Sequence, residues 1–158
     1  AVVVAEDINF FSHGGFDAAE LRLAARQAIE GKRFRGASTI TQQLAKNLWL
    51  SPSRSPLRKL KEAILTRQLE RHLGKRRILE LYLNVVELGP GIFGAEAAAN
   101  HFFDAAASDL DEHQAAQLAA SLPRPSSWHP GCGRRGYALY VEQIERRMDK
   151  ATWLNGLL

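Results

Sequence analysis

Cysteine is almost absent from this sequence: Cys132 is the single one among 158 residues, so no disulfide can form within the chain. That fits a reducing compartment and equally an exported protein that does without disulfides. The sequence has no apolar run near the roughly 20 residues that span a bilayer, and no recognisable signal peptide. It also lacks paired cysteines, a His-Glu-x-x-His pair, a calcium loop and a glycine-rich phosphate loop. These absences exclude a disulfide scaffold, and we assign no metal ligand.

The sequence does contain enough apolar residues for a core, since hydrophobic types make up 46% of it. Its length of 158 residues predicts one domain over residues 1–158. The net charge of +4 and the pI of about 9.5 favour partners that carry phosphate, such as nucleic acid, anionic lipid or a pyrophosphate. The chain opens on Ala1 without a methionine, so we expect an excised segment with any membrane anchor outside it.

Apolar periodicity and helix-end signals predict helices almost throughout, and no segment alternates like a strand. Helices are expected from the capping pair Asp17 and Glu20 to Gly31, from Gly36 and Ser38 onward, from the Ser55 cap and Pro56 to about Leu73, over about 76–88, over 94–103, from Asp111 and Gln114 to before Pro123, and over 137–148. The sequence therefore predicts an all-α protein.

Residues 36–47 form a polar run that leads directly into the apolar Leu48, Trp49 and Leu50. The polar side chains in it are neutral Ser, Thr, Gln and Asn, except for one cation, Lys46. Neutral donors and acceptors of fixed geometry suit a site that grips an oxygen-rich ligand. The alternative is a surface helix that begins at a Ser cap.

Arg58, Glu62, Leu65 and Leu69 follow one another at spacings of four, three and four, so they share one stripe of a helix. The stripe changes from charged to apolar, which puts Arg58 and Glu62 at the edge of a buried face. One interpretation is a structural ion pair. The other is a carboxylate that a cation orients at the rim of a cleft.

Glu6 and Asp7 are two adjacent acids in apolar surroundings, between residues 1–5 and Ile8, Phe10 and Phe11. Desolvation and like-charge repulsion both raise a carboxyl pKa, so such a group could act as a general base near pH 7. A helix cap or a salt-bridge partner is the alternative. His13 lies at a turn and is expected to be a hydrogen-bonding turn residue.

Five motifs occur in chain order over residues 6–130. They are Glu6-Asp7 with Phe10, His13 and Gly15; the run 36–47; Arg58-Lys59 with Glu62 and Leu69-Glu70; Ile78-Leu79-Glu80 with Tyr82-Leu83-Asn84 and glycines 89, 91 and 94; and Leu118-Ala119 with Pro123, Pro125 and Pro130. Together they resemble the peptidoglycan glycosyltransferases, glycosyltransferase family 51, which includes the N-terminal domain of class A penicillin-binding proteins. The chain looks like the monofunctional form of that family.

The resemblance implies that lipid II is polymerised into β-1,4-linked glycan strands, with inversion and release of undecaprenyl pyrophosphate. Glu6 would be the general base and Glu62 the second catalytic carboxylate, which assists departure, binds a metal or orients Arg58. The residues expected to bind substrate are Asp7, Ser38, Thr39, Gln42, Gln43, Lys46, Asn47, Arg58 and Lys59, with Lys46, Arg58 and Lys59 on the pyrophosphate. A divalent cation such as Mg²⁺ is a cofactor that the resemblance alone suggests.

The resemblance also implies a lysozyme-like, all-α fold with a large lobe and a smaller lobe that faces the membrane. Residues 48–50 and the segment around Phe34 are candidates for the smaller lobe, with ordinary core as the alternative. We expect a catalytic domain on the extracytoplasmic side of the inner membrane, with lipid II, the growing strand, the membrane surface and cell-wall synthesis proteins as partners.

Two other functions stay open at this point. A lysozyme-like hydrolase would also use two carboxylates, but it needs no cations for a pyrophosphate. A basic helical module that binds nucleic acid or membrane without catalysis is supported only by the cations in residues 71–77, and we expect no nucleic-acid partner.

Overall fold

The structure, a computed structural model, describes residues 1–30, 38–51 and 55–157 of the chain. Helices dominate these residues, which confirms the all-α prediction. The elements are α1 (Val2–Glu6), α2 (Ala18–Ile29), α3 (Ile40–Trp49), α4 (Pro56–His72), α5 (Lys75–Val85), β1 (Glu87–Gly89), β2 (Ile92–Phe93), α6 (Ala95–Phe103), α7 (Glu112–Ser121) and α8 (Arg135–Met148), with 3₁₀ turns at Phe10–Ser12, Ala107–Asp109 and Thr152–Gly156.

Local capping signals start two helices where the sequence predicts them. The Ser55 side chain accepts a hydrogen bond from the Arg58 backbone N–H (3.1 Å), and Pro56 occupies the first turn of α4. At α7, the Asp111 side chain accepts from the Gln114 N–H (2.7 Å), while the Gln114 side chain accepts from the Asp111 N–H (3.0 Å). This reciprocal pair is a capping box, which satisfies two backbone donors at the helix start.

The start of α3 differs from the prediction, because Thr39 rather than Ser38 is its N-cap. The Thr39 side chain accepts from the Gln42 N–H (3.2 Å), and the Gln42 side chain accepts from the Thr39 N–H (3.0 Å). Gln42 stands three residues after Thr39, the spacing that a capping box requires, whereas Ser38 has no such partner. The predicted contribution of Gly36 lies outside the described residues.

Asp17 precedes α2, and its side chain accepts a hydrogen bond from the Ala19 N–H (2.8 Å). This agrees with the expected helix start. The Glu20 side chain and Gly31, which the sequence analysis used as capping partner and helix end, lie outside the described residues.

A hairpin replaces the end of the predicted helix over residues 76–88. α5 stops at Val85, and Glu87–Gly89 pairs antiparallel with Ile92–Phe93. Gly89 lies so close to Phe102 that a Cβ there would be 2.7 Å from the ring, and Gly91 has φ +72°. The glycines therefore form a tight turn, and strands of three and two residues are too short to show alternation in the sequence.

Two compact units make up the described chain, one of residues Asn9–Leu79 and one of residues Ala1–Ile8 with Glu80–Leu158. In the Asn9–Leu79 unit, α3 packs on α4, and Ile40, Leu44 and Ala45 of α3 are buried. No helix among the described residues is long and apolar enough to cross a membrane. A single domain over residues 1–158 stays a prediction.

The other unit, Ala1–Ile8 with Glu80–Leu158, has its core between α7 and α8. Ala116, Ala119 and Ala120 on α7 meet Tyr137, Val141 and Ile144 on α8. Three alanines on one face let the two helices approach closely. The short α1, which the sequence analysis did not predict, packs against both helices.

Candidate active site

The buried carboxylate of Glu62 holds two cations on α4. Its side chain is 3% exposed; Oε2 accepts from Arg58 Nη1 (3.1 Å), and Oε1 accepts from Lys59 Nζ. The spacings of four and three residues bring these groups together on one face of the helix. Two cations against one carboxylate leave a net positive charge at this cluster.

Arg58 keeps unused hydrogen-bonding capacity. Its Nε is buried and has no partner among the described residues. A buried donor without a partner is costly unless a ligand satisfies it. Both oxygens of Glu62 are engaged, so among the three roles expected for it the geometry favours the one that orients Arg58.

The arrangement around Glu62 does not fit a metal ion. Its two oxygens already accept hydrogen bonds from cations. Within the part of the chain that the structure describes, no group of three His, Cys, Asp or Glu side chains could hold a metal. A cation would also be repelled by the surplus positive charge beside it.

The polar run divides into a buried half and an exposed half. Thr39, Thr41 and Gln42 are buried, whereas Lys46 and Asn47 are exposed near the end of α3. The Lys46 side chain has no hydrogen-bond or ion-pair partner within residues 38–51 or the rest of the described chain. Its ammonium group is therefore available to a ligand.

Several polar groups of this run already serve the protein itself. Thr39 Oγ1 donates to the Gly15 carbonyl (2.7 Å), in addition to the capping contacts with Gln42. Gln43 Nε2 donates to the Ser38 carbonyl (3.4 Å). These contacts shape the start of α3, and the predicted substrate contacts of Ser38, Thr39, Gln42, Gln43 and Asn47 stay predictions.

Thr41 and Glu70 join α3 to α4 through a hydrogen bond between their side chains. Thr41 Oγ1 donates to Glu70 Oε1 (2.5 Å), which also accepts from Lys75 Nζ (2.7 Å). Lys75 Nζ lies 4.4 Å from the centre of the Phe10 ring, a cation–π contact. No local pattern in the sequence predicts this link, although Glu70 belongs to the third motif. It fixes the helix that carries Lys46 relative to the helix that carries Arg58 and Lys59.

Gly15 and His13 form the turn that the α3 cap contacts. His13 Nδ1 accepts from the Gly15 N–H (3.1 Å), which confirms the expected role of His13 as a hydrogen-bonding turn residue. Gly15 has φ +89°, and a Cβ there would lie 2.8 Å from Thr66 Cγ2. Glycine is required because the backbone lies against α4 in a conformation that other residues rarely adopt.

Glu6 and Asp7 lie in the other compact unit, at the end of α1. Glu6 is the last residue of the helix, and Asp7 follows it as the C-cap, so the acids do not cap a helix start. The side chain of Asp7 is buried. The general-base role that the sequence indicates for this pair stays a prediction.

Tyr82 lies near Glu6. In the sequence, Tyr82 is only one residue of the fourth motif, and nothing there indicates this neighbour. Burial raises the pKa of Tyr82 well above its usual value, and the negative charge of Glu6 raises it further. The phenol therefore stays protonated and neutral beside the carboxylate. Only the folded structure could associate two residues so far apart in the chain.

Comparisons with known proteins add an independent finding. The profile of the family described as Transglycosylase matches residues 1–151. A biosynthetic peptidoglycan transglycosylase from Methylobacillus flagellatus is 50% identical over 152 residues, which are 96% of this chain and 66% of that protein. Proteins of the same name from Alcanivorax borkumensis and Thiobacillus denitrificans are 49% and 48% identical, over 98% and 94% of this chain. The chain spans 66%, 59% and 64% of the length of these three relatives.

Proposed function

The chain belongs to the transglycosylase family, and on that premise we propose that it polymerises lipid II into linear peptidoglycan glycan strands. The observation that carries the proposal is the cluster of Arg58 and Lys59 on the buried carboxylate of Glu62. A reaction that expels a pyrophosphate needs such cations, because negative charge develops on the leaving group. Hydrolysis of a neutral glycosidic bond does not need them.

In the proposed reaction, the carboxylate of Glu6 removes the proton from the 4-hydroxyl of the acceptor GlcNAc. The resulting oxygen attacks the anomeric carbon of the growing strand, and the bond from that carbon to the pyrophosphate breaks. The electron pair leaves with the undecaprenyl pyrophosphate, and the new bond is β-1,4 because attack comes from the opposite face. The proton stays on Glu6 until water removes it.

Lys46, Arg58 and Lys59 are the proposed ligands of the pyrophosphate. Glu62 holds Arg58 and Lys59 in one orientation, so the cations need little rearrangement when charge develops. Polar neighbours on α3, together with Asp7, are the proposed contacts to the sugars. A divalent cation such as Mg²⁺ stays a proposal from the family resemblance, and no step depends on it.

We further propose that the Asn9–Leu79 unit is the smaller, membrane-facing lobe. Its described part exposes apolar side chains on three helices; they are Leu21 and Leu23 on α2, Leu48 and Trp49 on α3, and Leu57, Leu60 and Ile64 on α4. Apolar side chains of this number favour a lipid surface over water. Phe34, the other expected contact, lies outside the described residues. From the family resemblance we also propose that the catalytic domain works on the extracytoplasmic side of the inner membrane, with cell-wall synthesis proteins as further partners.

The direct test is incubation with lipid II, followed by gel separation of the products. Glu6→Gln is expected to lower the polymerisation rate by roughly 10²–10⁴-fold, because the amide cannot accept the hydroxyl proton. Glu142→Gln is the matched control, since Glu142 is exposed on α8 and makes only a 3.9 Å contact with Arg146. Near wild-type polymerisation by Glu6→Gln would rule out the proposed base. If preformed glycan strands become shorter and no polymer forms, the chain is a hydrolase. Parallel reactions with Mg²⁺ or with a chelator test whether polymerisation requires a divalent cation.

A further inference from the structure

The outward face of α4 changes from apolar to cationic along its length. Leu57, Leu60 and Ile64 are 62%, 58% and 52% exposed and are spaced by three and four residues, so they form one stripe. Arg67 and Arg71 continue the same stripe at the same spacing, and both are exposed. An apolar surface that ends in two arginines on one helix face has the polarity of a bilayer interface.

The two arginines line an open pocket of about 450 Å³ within the Asn9–Leu79 unit. Its other lining residues are Gly14, Gln68, Glu70 and His72. Arg67 lies nine residues beyond Arg58, which corresponds to about 14 Å along a helix. The pocket is therefore separate from the proposed pyrophosphate cations.

The pocket has a surplus of positive charge that no carboxylate of the described residues balances. Its one carboxylate, Glu70, already pairs with Lys75 (2.7 Å) and accepts from Thr41 (2.5 Å). The side chains of Arg67 and Arg71 have no hydrogen-bond or ion-pair partner among the described residues. Two arginine side chains one turn apart present planar donor groups that match the oxygens of a phosphate.

Gly14 leaves the mouth of this pocket open. A Cβ at Gly14 would meet no atom within 4 Å, and the residue does not have a positive φ. Neither packing nor backbone conformation requires glycine here, in contrast to Gly15. A ligand can therefore approach the backbone of the turn as well as the arginines.

We propose that this pocket binds the phosphate of a membrane phospholipid headgroup while the apolar stripe of α4 contacts the acyl chains. An exposed apolar stripe that continues into two arginines favours a lipid, which carries both a phosphate and acyl chains, over a soluble anion, which can use only the arginines. The inference rests on the proposed function, because it requires that this unit works at a membrane.

The test is partition of the chain onto phosphatidylcholine vesicles that contain phosphatidylglycerol, measured by flotation. The double variant Arg67→Gln with Arg71→Gln is expected to bind about 30-fold more weakly, since each arginine near an anionic surface contributes about 1 kcal/mol. The matched control is Arg134→Gln with Arg135→Gln, which removes the same charge from exposed residues of the other unit and is expected to change binding less than threefold. Equal losses of vesicle binding for the two double variants would refute the proposal that this pocket binds the lipid phosphate.

Calorimetry with inorganic phosphate, without vesicles, distinguishes a lipid from free phosphate. We expect no saturable binding below about 1 mM, because free phosphate cannot use the apolar stripe. Two results together would refute the lipid as the ligand. They are saturable phosphate binding that the Arg67/Arg71 variant loses, and vesicle binding that this variant keeps unchanged. The pocket would then be a site for a soluble anion. Polymerisation of detergent-dispersed lipid II by the wild-type chain is measured separately, and its failure would refute the proposed function while the vesicle result stands.

Discussion

Replacing Gly15 with alanine tests whether the turn of the first motif must lie directly against α4. The added Cβ would be 2.8 Å from Thr66 Cγ2 and 2.9 Å from Glu70 Cγ, closer than real Cβ contacts. The residue would also have to keep a φ of +89°. Both effects raise the free energy of the folded state. Because the Gly15 carbonyl accepts from Thr39, any shift of the turn also moves the start of α3.

The expected loss of stability is the sum of two costs in the folded state, less one gain from the unfolded state. A left-handed backbone costs a non-glycine residue roughly 1–2 kcal/mol, and overpacking in a packed site costs typically 1–3 kcal/mol. The lower entropy of the unfolded chain returns roughly 0.4–1 kcal/mol. Gly15→Ala should therefore lower the free energy of unfolding by about 1–5 kcal/mol, which for a chain of this size corresponds to roughly 2–20 °C in Tm.

The assay is urea unfolding followed by circular dichroism, with Gly14→Ala as the matched control. A Cβ at Gly14 meets no atom within 4 Å and the residue has no positive φ, so this neighbouring change should leave the free energy of unfolding unchanged or raise it by up to about 1 kcal/mol. If the two variants have the same stability within 0.5 kcal/mol, the close approach at Gly15 is not what requires glycine, and the reasoning fails.

Two further predictions concern binding and pH. Lys46→Ala should weaken binding of a pyrophosphate-bearing substrate by about 10–100-fold, and binding of free glycan far less, because a charge-assisted contact is worth about 1.5–3 kcal/mol. Lys61→Ala, which changes another exposed lysine, is the control. Equal losses for both substrates in a binding assay would show that Lys46 is not a ligand of the pyrophosphate. Burial raises the pKa of Tyr137 above its usual value near 10, so above that pH the unfolded chain loses a proton that the folded chain keeps. Tyr137 alone should therefore lower the free energy of unfolding by about 1.4 kcal/mol from pH 9 to pH 11. In urea unfolding at the two pH values, Tyr137→Phe should lose correspondingly less stability than wild type. Identical losses would show that the pKa of Tyr137 is not raised.

Local signals in the sequence predicted most helix starts. The caps at Ser55 and Asp111 involve residues within three positions of each other, so their geometry follows from the chain itself. The hairpin after Val85 was not predictable, because its strands are too short for a pattern and its glycines also fit a helix end. The helix that ends at Glu6 was missed for a similar reason, since five residues show no periodicity.

The sequence by itself determined the cluster of Arg58, Lys59 and Glu62, because helical periodicity places residues three and four apart on one face. Only the tertiary structure decided which polar residues of the run are committed to the fold. Thr39 contacts the carbonyl of a residue 24 positions away, and Thr41 contacts a carboxylate 29 positions away. Such contacts depend on how whole helices pack, which no local pattern encodes. Packing leaves Lys46 exposed and without a partner in the described chain, and so available for a ligand.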